Sequence, residues 1–204
     1  MTEESTTSID PMAEFMRDHG RAKKQLDQNA DVCFLATHDP QGGVQVRTLV
    51  LRDIVERRLG IFLNRSSPKW RQLELNGEFQ LLIYYPSIER QYRMSGSHVD
   101  MDSDLVADSW LARPDGSKYL DFYYERIGAQ STPVDSRQAM ESALSELKQQ
   151  LPEPEELTAP DSARGVYLEI DTIDRLDLTD RGRLHDRRLF TFAAGRWTEQ
   201  ILVP

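Results

Sequence analysis

Gly182-Arg183-Leu184-His185-Asp186-Arg187-Arg188 is the stretch from which the rest of the chain is best read. Five of its seven residues can carry charge, yet strand-forming sequence stands on both sides: Val166-Tyr167-Leu168-Glu169-Ile170 before it and Leu189-Phe190-Thr191-Phe192 after it. β-Branched and aromatic residues at that density favour a pleated backbone. Alternate residues of a strand share a face, which would put Arg183, His185 and Arg187 together. Two guanidiniums flanking an imidazole repel each other unless an anion or a polar ligand sits there. The spacing suits an anionic ligand with a proton-transfer group beside it. A solvated hairpin edge is the other reading that the run alone allows.

Working outward, the chain alternates short strands with fewer helices. Asp10-Pro11 reads as a helix start, with Asp as cap and Pro at the first helical position. Met12, Phe15, Met16, Ala22 and Leu26 follow at roughly helical spacing. Residues 32–38 read as an apolar strand, Asp39-Pro40-Gln41-Gly42-Gly43 as a turn, 44–52 as one long alternating strand and 59–64 as a third. Ser67-Pro68 opens a second helix that Asn76-Gly77 stops. Strands are expected over Phe79–Tyr85 and Gln91–Met101, then a short helix over Ser103–Leu111, a turn at Pro114-Asp115-Gly116 and helix over 117–126. Asp135 to Gln150 is the clearest helix, with Met140, Ala143, Leu144, Leu147 and Leu151 on one face and Asp135 as its cap. Residues 152–163 read as a linker-like loop, and three late strands follow. Many strands in hairpin order predict a mainly β fold, an antiparallel barrel carrying peripheral helices. Residues 1–9 read as a disordered polar tail and 10–204 as one domain.

Composition narrows the function. The 204 residues are 39% hydrophobic and 29% charged, enough for a sizeable core. Net charge is −9, which argues against a nucleic-acid partner. No apolar run approaches the roughly 18 residues of a membrane span, and the acidic first residues do not read as a signal peptide. The single cysteine, Cys33, lies in an apolar run and reads as a buried hydrophobe; with no intrachain disulfide possible, the chain fits the cytoplasm. No CxxC, HExxH or spaced histidine cluster occurs, so no metal site is expected. Basic residues nevertheless cluster: Arg47, Arg52, Arg65, Lys69, Arg71, Arg90 and Arg93 early, and Arg181, Arg183, Arg187 and Arg188 late. A basic pocket in an acidic protein suits a small anion.

The start of the helix at Ser67-Pro68 is one place for it. Free backbone N–H groups and the positive end of the helix dipole hold phosphate well. Ser66, Ser67 and Lys69 add hydroxyls and an ammonium, and Arg47 on the preceding strands could reach the same point. The plain reading is that Ser67 only caps the helix and Lys69 is only solvated.

Taken in order, these segments resemble the pyridoxine/pyridoxamine 5'-phosphate oxidase family of FMN proteins. The matching blocks are Asp10-Pro11, Leu35-Ala36-Thr37, Arg47-Thr48-Leu49-Val50-Leu51-Arg52, Phe62-Leu63-Asn64 leading to Lys69, Ile88-Glu89-Arg90-Gln91, Arg113-Pro114 with Ser117, Gln130-Ser131, Arg183-Leu184-His185-Asp186-Arg187, and Trp197 with the ending Leu202-Val203-Pro204. The resemblance implies an FMN-binding split β-barrel in a homodimer, with FMN at the subunit interface. It implies Arg47 and Lys69 as ligands of the FMN phosphate beside Ser67. The strand Arg47, Thr48, Leu49, Val50, Leu51, Arg52 would lie along the flavin ring, with Phe62, Leu63, Gln91, Gln130, Ser131 and Arg187 as further cofactor contacts. Arg52, Arg113 and Ser117 would hold the substrate phosphate, while Arg183 and His185 would sit over the substrate ring as the catalytic pair. The implied reaction is oxidation of pyridoxamine or pyridoxine 5'-phosphate to pyridoxal 5'-phosphate with O2 as acceptor.

The chain departs from the family pattern in places. Arg52 stands where Lys is usual, Ser109 where Tyr is usual, Phe62-Leu63 replace an aromatic pair, Pro68-Lys69 replace a basic pair, and Asp177 stands near the position of a usual Trp. Two other readings therefore stay open: a related FMN oxidoreductase with another substrate, and a non-catalytic FMN- or pyridoxal-phosphate-binding protein.

Overall fold

The structure, a computed structural model, describes residues 9–182 and 184–204. The expected tail, apart from Ile9, and Arg183 lie outside the described residues. The chain forms two compact units that alternate along the sequence: one takes the residues up to Leu59, Glu78–Ser97 and Leu168–Pro204, the other Gly60–Gly77 and His98–Tyr167.

The first unit begins with α1 (Pro11–Lys24), capped by the Asp10 side chain, which accepts from the Ala13 N–H at 3.0 Å. Met12, Phe15 and Ala22 are buried on its inner face. Met16, expected there, is 46% exposed, and Leu26 lies beyond the helix at positive φ and is 88% exposed. The buried face instead includes Asp18, which accepts from the Tyr92 hydroxyl at 2.6 Å. A carboxylate can be buried there because it has donors to meet it.

β1 (Val32–Asp39) and β2 (Gly43–Val50) form a hairpin in which Leu35 faces Arg47 and Thr37 faces Gln45. Its turn is set by the Asp39 carboxylate, which accepts from the Gln41 and Gly42 N–H groups, and by Gly43 at φ +72. The expected strand over 44–52 ends at Val50. Leu51 leaves the ladder to donate its N–H to Asp31 and bury its side chain, and the chain resumes as β3 (Asp53–Val55). β5 (Phe79–Tyr85) pairs antiparallel with β1 and with β6 (Arg90–Asp100). The three late strands are β7 (Ala163–Asp177), β8 (Asp186–Ala193) and β9 (Arg196–Leu202), consecutive antiparallel neighbours. The β8–β9 turn consists of Ala194 and Gly195, both at positive φ, as a two-residue hairpin turn requires. With β4 (Arg58–Asn64), hydrogen bonding orders the strands β2-β1-β5-β6-β7-β4-β3, and β8 and β9 continue from β7. His185 precedes β8 rather than standing in it, so strand alternation does not align it with Arg187 as the sequence suggested.

The second unit is mostly helical. α2 (Pro68–Asn76) is capped by Ser67 and closed by Gly77 at φ +67. α3 (Ser103–Leu111) is capped by Asp102. Pro114-Asp115-Gly116, expected as a turn, leads directly into α4 (Asp115–Arg126), because the Pro114 carbonyl accepts from the Ser117 and Lys118 N–H groups. α5 (Arg137–Gln150) is capped by Ser136, not Asp135; the Ser136 hydroxyl accepts from the Ala139 N–H at 3.0 Å. The core joins Met101, Val106, Trp110, Tyr119, Phe122, Tyr123, Leu147 and Leu157. The expected loop runs from Pro152 to the start of β7 at Ala163, and Leu157 anchors it in this core. The segment packs back on the helices, and its Pro154 carbonyl accepts from Lys118 Nζ at 3.3 Å.

Candidate functional site

In the first unit, β2 sets out its residues by alternation. Gln45, Arg47 and Leu49 are half-buried against β1, while Val44, Val46, Thr48 and Val50 are exposed. Arg47 Nη1 donates to the Leu35 carbonyl at 3.1 Å and to Thr37 Oγ1 at 2.6 Å. Burial lowers the pKa of this guanidinium. Leu51 is buried, whereas Arg52 is exposed at the rim of a cavity of about 250 Å³ that His19, Lys23, Asp31 and Asp53 also line. Gln91 stands half-buried opposite Tyr84 on β5.

Carboxylates meet the charged run at the end of the chain. Arg187 binds Asp174 through two hydrogen bonds, Nε to Oδ1 at 3.0 Å and Nη2 to Oδ2 at 2.8 Å. Those bonds and the carboxylate charge raise the Arg187 pKa. Arg188 binds Asp186 and Glu199. Arg175, almost buried, holds Asp186 on one side and Glu14 of α1 on the other. The described arginines of the run are thus neutralised from β7, β8 and β9, where the sequence suggested that only a ligand would do so. His185 is different: its Nδ1 is buried and has no hydrogen-bond partner among the described residues.

In the second unit, Phe62 is half-buried and Leu63 buried at the end of β4. The Ser67 hydroxyl is spent on its own helix, accepting from the Trp70 N–H at 3.4 Å, and the residue is 1% exposed. Lys69 Nζ donates to Gln130 Oε1 at 3.2 Å, and the Gln130 N–H donates to Ser66 Oγ at 3.1 Å. The start of α2 and the Gln130 stretch are therefore joined. Ser131 follows at φ +70, in the left-handed region that a residue with a side chain seldom adopts. Ser117 is half-buried in the first turn of α4, and Arg113 Nη1 binds the carboxylate of Asp121.

Sequence reasoning missed Asp121 and Asn64. Asp121 is 3% exposed and also accepts from Trp110 Nε1 at 2.8 Å and Asn64 Nδ2 at 3.1 Å. Its signal was present: it stands four residues after Ser117, one helical turn along the same face. A cavity of about 890 Å³ in the first unit, lined by Met12, Met16, Arg57, Phe192 and Trp197 among others, contains none of the expected site residues. Among the described residues, no three His, Cys, Asp or Glu side chains cluster as metal ligands, and no helix is long and apolar enough to cross a membrane. Cys33 is fully buried and its thiol is pushed up to about 12 by that burial, which leaves no reactive thiolate.

Comparison with known proteins shows the family of the chain. The family model described as pyridoxamine 5'-phosphate oxidase matches residues 21–151, and the chain belongs to that family. A pyridoxine/pyridoxamine 5'-phosphate oxidase of Acinetobacter baumannii (strain SDF) is 31% identical over 170 residues, covering 83% of this chain and 76% of the relative. One from Leptospira biflexa is 27% identical over 205 residues, covering 98% and 92%. Among solved structures, PhzG from Burkholderia lata, in complex with tetrahydrophenazine-1-carboxylic acid, superposes with a TM-score of 0.84 at 20% identity, covering 100% of this chain and 97% of that one. A pyridoxamine 5'-phosphate oxidase-related, FMN binding protein from Nostoc punctiforme gives 0.73 at 20% identity, covering 97% and 100%. The fold is the split barrel of these proteins, mainly β with an antiparallel sheet and peripheral helices.

Proposed function

We propose that this protein is an FMN-dependent oxidase that converts pyridoxamine or pyridoxine 5'-phosphate to pyridoxal 5'-phosphate with O2 as acceptor. The residues present fit the cofactor. Lys69, tied to Gln130 and Ser66 at the start of α2, and the half-buried Arg47 supply cations and donors suited to a phosphate. Thr48, Leu49, Val50, Leu51 and Arg52 would run beside the ring, with Phe62, Leu63, Gln91, Gln130, Ser131 and Arg187 as its remaining contacts. The flavin, when bound, supplies the two-electron chemistry; the protein supplies position and charge.

Arg52, Arg113 and Ser117 would hold the substrate phosphate, and Arg183 and His185 would orient the ring. The observation that carries this reading is the buried Nδ1 of His185, which has no hydrogen-bond partner among the described residues, in the segment where family resemblance assigns the substrate. A buried polar atom without a partner is costly, and a ligand hydrogen bond would relieve it. A homodimer is part of the same reading. Val44 (70% exposed), Val46 (66%) and Val50 (45%) make an apolar strip on β2, an end strand of the sheet order, which a second copy would cover. So is a cytoplasmic location.

The test is product formation. Protein reconstituted with FMN and given pyridoxamine 5'-phosphate in air is expected to release pyridoxal 5'-phosphate and hydrogen peroxide in equal amounts. Neither product from either vitamer phosphate would overturn the reading.

A further inference from the structure

We infer that Asp121 is a positioning residue that anchors one hydrogen-bond chain running from Arg113 through Asn64, Ser66 and Gln130 to Lys69. It thereby serves the substrate end and the cofactor end of the second unit together. The inference rests on the flavin-dependent reading above.

An ionised carboxylate only accepts. Asp121 is buried, and its Oδ2 receives Arg113 Nη1 and Trp110 Nε1, the latter at 2.8 Å, which leaves Oδ1 for Asn64. Asn64 must therefore turn its amide nitrogen to Asp121, at 3.1 Å, with Ser162 Oγ also within reach at 3.3 Å. That choice aims the Asn64 carbonyl the other way. There it accepts from the Ser66 N–H at 2.9 Å and from Ser66 Oγ at 2.7 Å. With its one proton given to Asn64, Ser66 Oγ has only lone pairs for Gln130, whose N–H donates to it at 3.1 Å. The Gln130 side-chain carbonyl then faces Lys69 Nζ at 3.2 Å. The Asn64 amide is thus held from both ends, by the Asp121 carboxylate on its nitrogen and by the Ser66 donors on its oxygen. The other oxygen of the same carboxylate, Oδ2, anchors the Arg113 guanidinium, whose side chain is 30% exposed.

An amide at position 121 cannot accept on both sides. Facing its nitrogen toward a guanidinium is the worse arrangement, so Asp121→Asn would turn it toward Asn64. Asn64 would then flip and present donors to the Ser66 N–H, undoing the loop while Arg113 keeps one neutral acceptor.

Three quantities test this on the purified full chain: FMN affinity from flavin fluorescence, pyridoxal 5'-phosphate affinity from absorbance titration of the FMN-loaded protein, and the melting temperature without ligands. Asp121→Asn is expected to weaken FMN about tenfold and pyridoxal 5'-phosphate by a smaller factor. Asn64→Ala, which cuts the loop arm and leaves Arg113 with Asp121, should weaken FMN by a similar factor and spare pyridoxal 5'-phosphate. In the Asn64→Ala background, Asp121→Asn should cost no further FMN affinity, the mark of one shared chain. A merely structural carboxylate would lower the melting temperature and move neither affinity; that result overturns the inference. If Asp121→Asn does not fold, Asn64→Ala decides alone, and an unchanged FMN affinity there also overturns it. Wild-type protein that binds no FMN refutes the flavin reading itself, whereas wild-type binding matched by both variants refutes only the role of Asp121.

Discussion

The Arg187 guanidinium meets the Asp174 carboxylate edge to edge, with Nε on Oδ1 at 3.0 Å and Nη2 on Oδ2 at 2.8 Å. Asp174 and Asp186 sit on opposite sides of one hairpin, so β7 and β8 bring carboxylates to the arginines as the strands pair. A fork held on two of its nitrogens is oriented as well as neutralised. Asp174→Ala should therefore weaken flavin retention several-fold by releasing Arg187. Equilibrium dialysis against FMN measures this; unchanged retention would mean that Arg187 does not contact the cofactor.

Lys69 carries the corresponding expectation in the second unit. Lys69→Ala removes a cation and the partner of Gln130, and should weaken FMN binding about tenfold with little change in melting temperature. Fluorescence titration of the variant decides it. Equal affinity would count against a phosphate site at the start of α2.

Gly96 is a packing constraint between strands. A Cβ there would lie 1.9 Å from the backbone oxygen of Glu169, too close for any rotamer to relieve. Gly96→Ala should cost about 3 kcal/mol or more, because β6 or β7 must shift. Chemical denaturation that finds the variant within about 0.5 kcal/mol of wild type would show that the strands give way freely.

Asp177 provides a pH signature. Burial alone would raise its pKa, but hydrogen bonds from Thr179 and the charges of Arg90 and Arg175 outweigh that and hold it below the ordinary carboxylate value. A depressed folded pKa means stability that is present above the unfolded value and lost as pH falls through the folded one. Asp177→Asn should thus cost about 1–2 kcal/mol at pH 7, with the gap to wild type closing only below about pH 4. Urea melts across that range measure the gap; a gap that persists at the acid end would assign the cost to shape instead of charge.

Much of the fold was legible in the sequence where one signal acted alone. Asp10-Pro11 and Ser67-Pro68 start helices because a side-chain acceptor and a proline satisfy the same few N–H groups in any context. Gly77 ends α2 in the left-handed conformation that glycine favours. What was misread or missed was decided by partners distant in sequence. Val50 ends β2 because Leu51 binds Asp31, and Leu157 ties down 152–163 because a helical core is there to receive it. The cap of α5 passed to Ser136 from its neighbour Asp135, within the uncertainty of a helix end. In the site, the cations were visible as residue types. The carboxylates that hold them were not, because Asp174, Asp121 and Glu14 become partners only when strands pair or helices pack.

The most direct test of the central claim is the absorbance spectrum of the FMN-reconstituted protein before and after anaerobic pyridoxamine 5'-phosphate. The account predicts a bound-flavin spectrum whose long-wavelength band bleaches on addition of the vitamer and returns when air is admitted. A bound flavin that stays oxidised would contradict the assigned substrate. A protein that takes up no FMN at all would contradict the cofactor site built on Arg47 and Lys69.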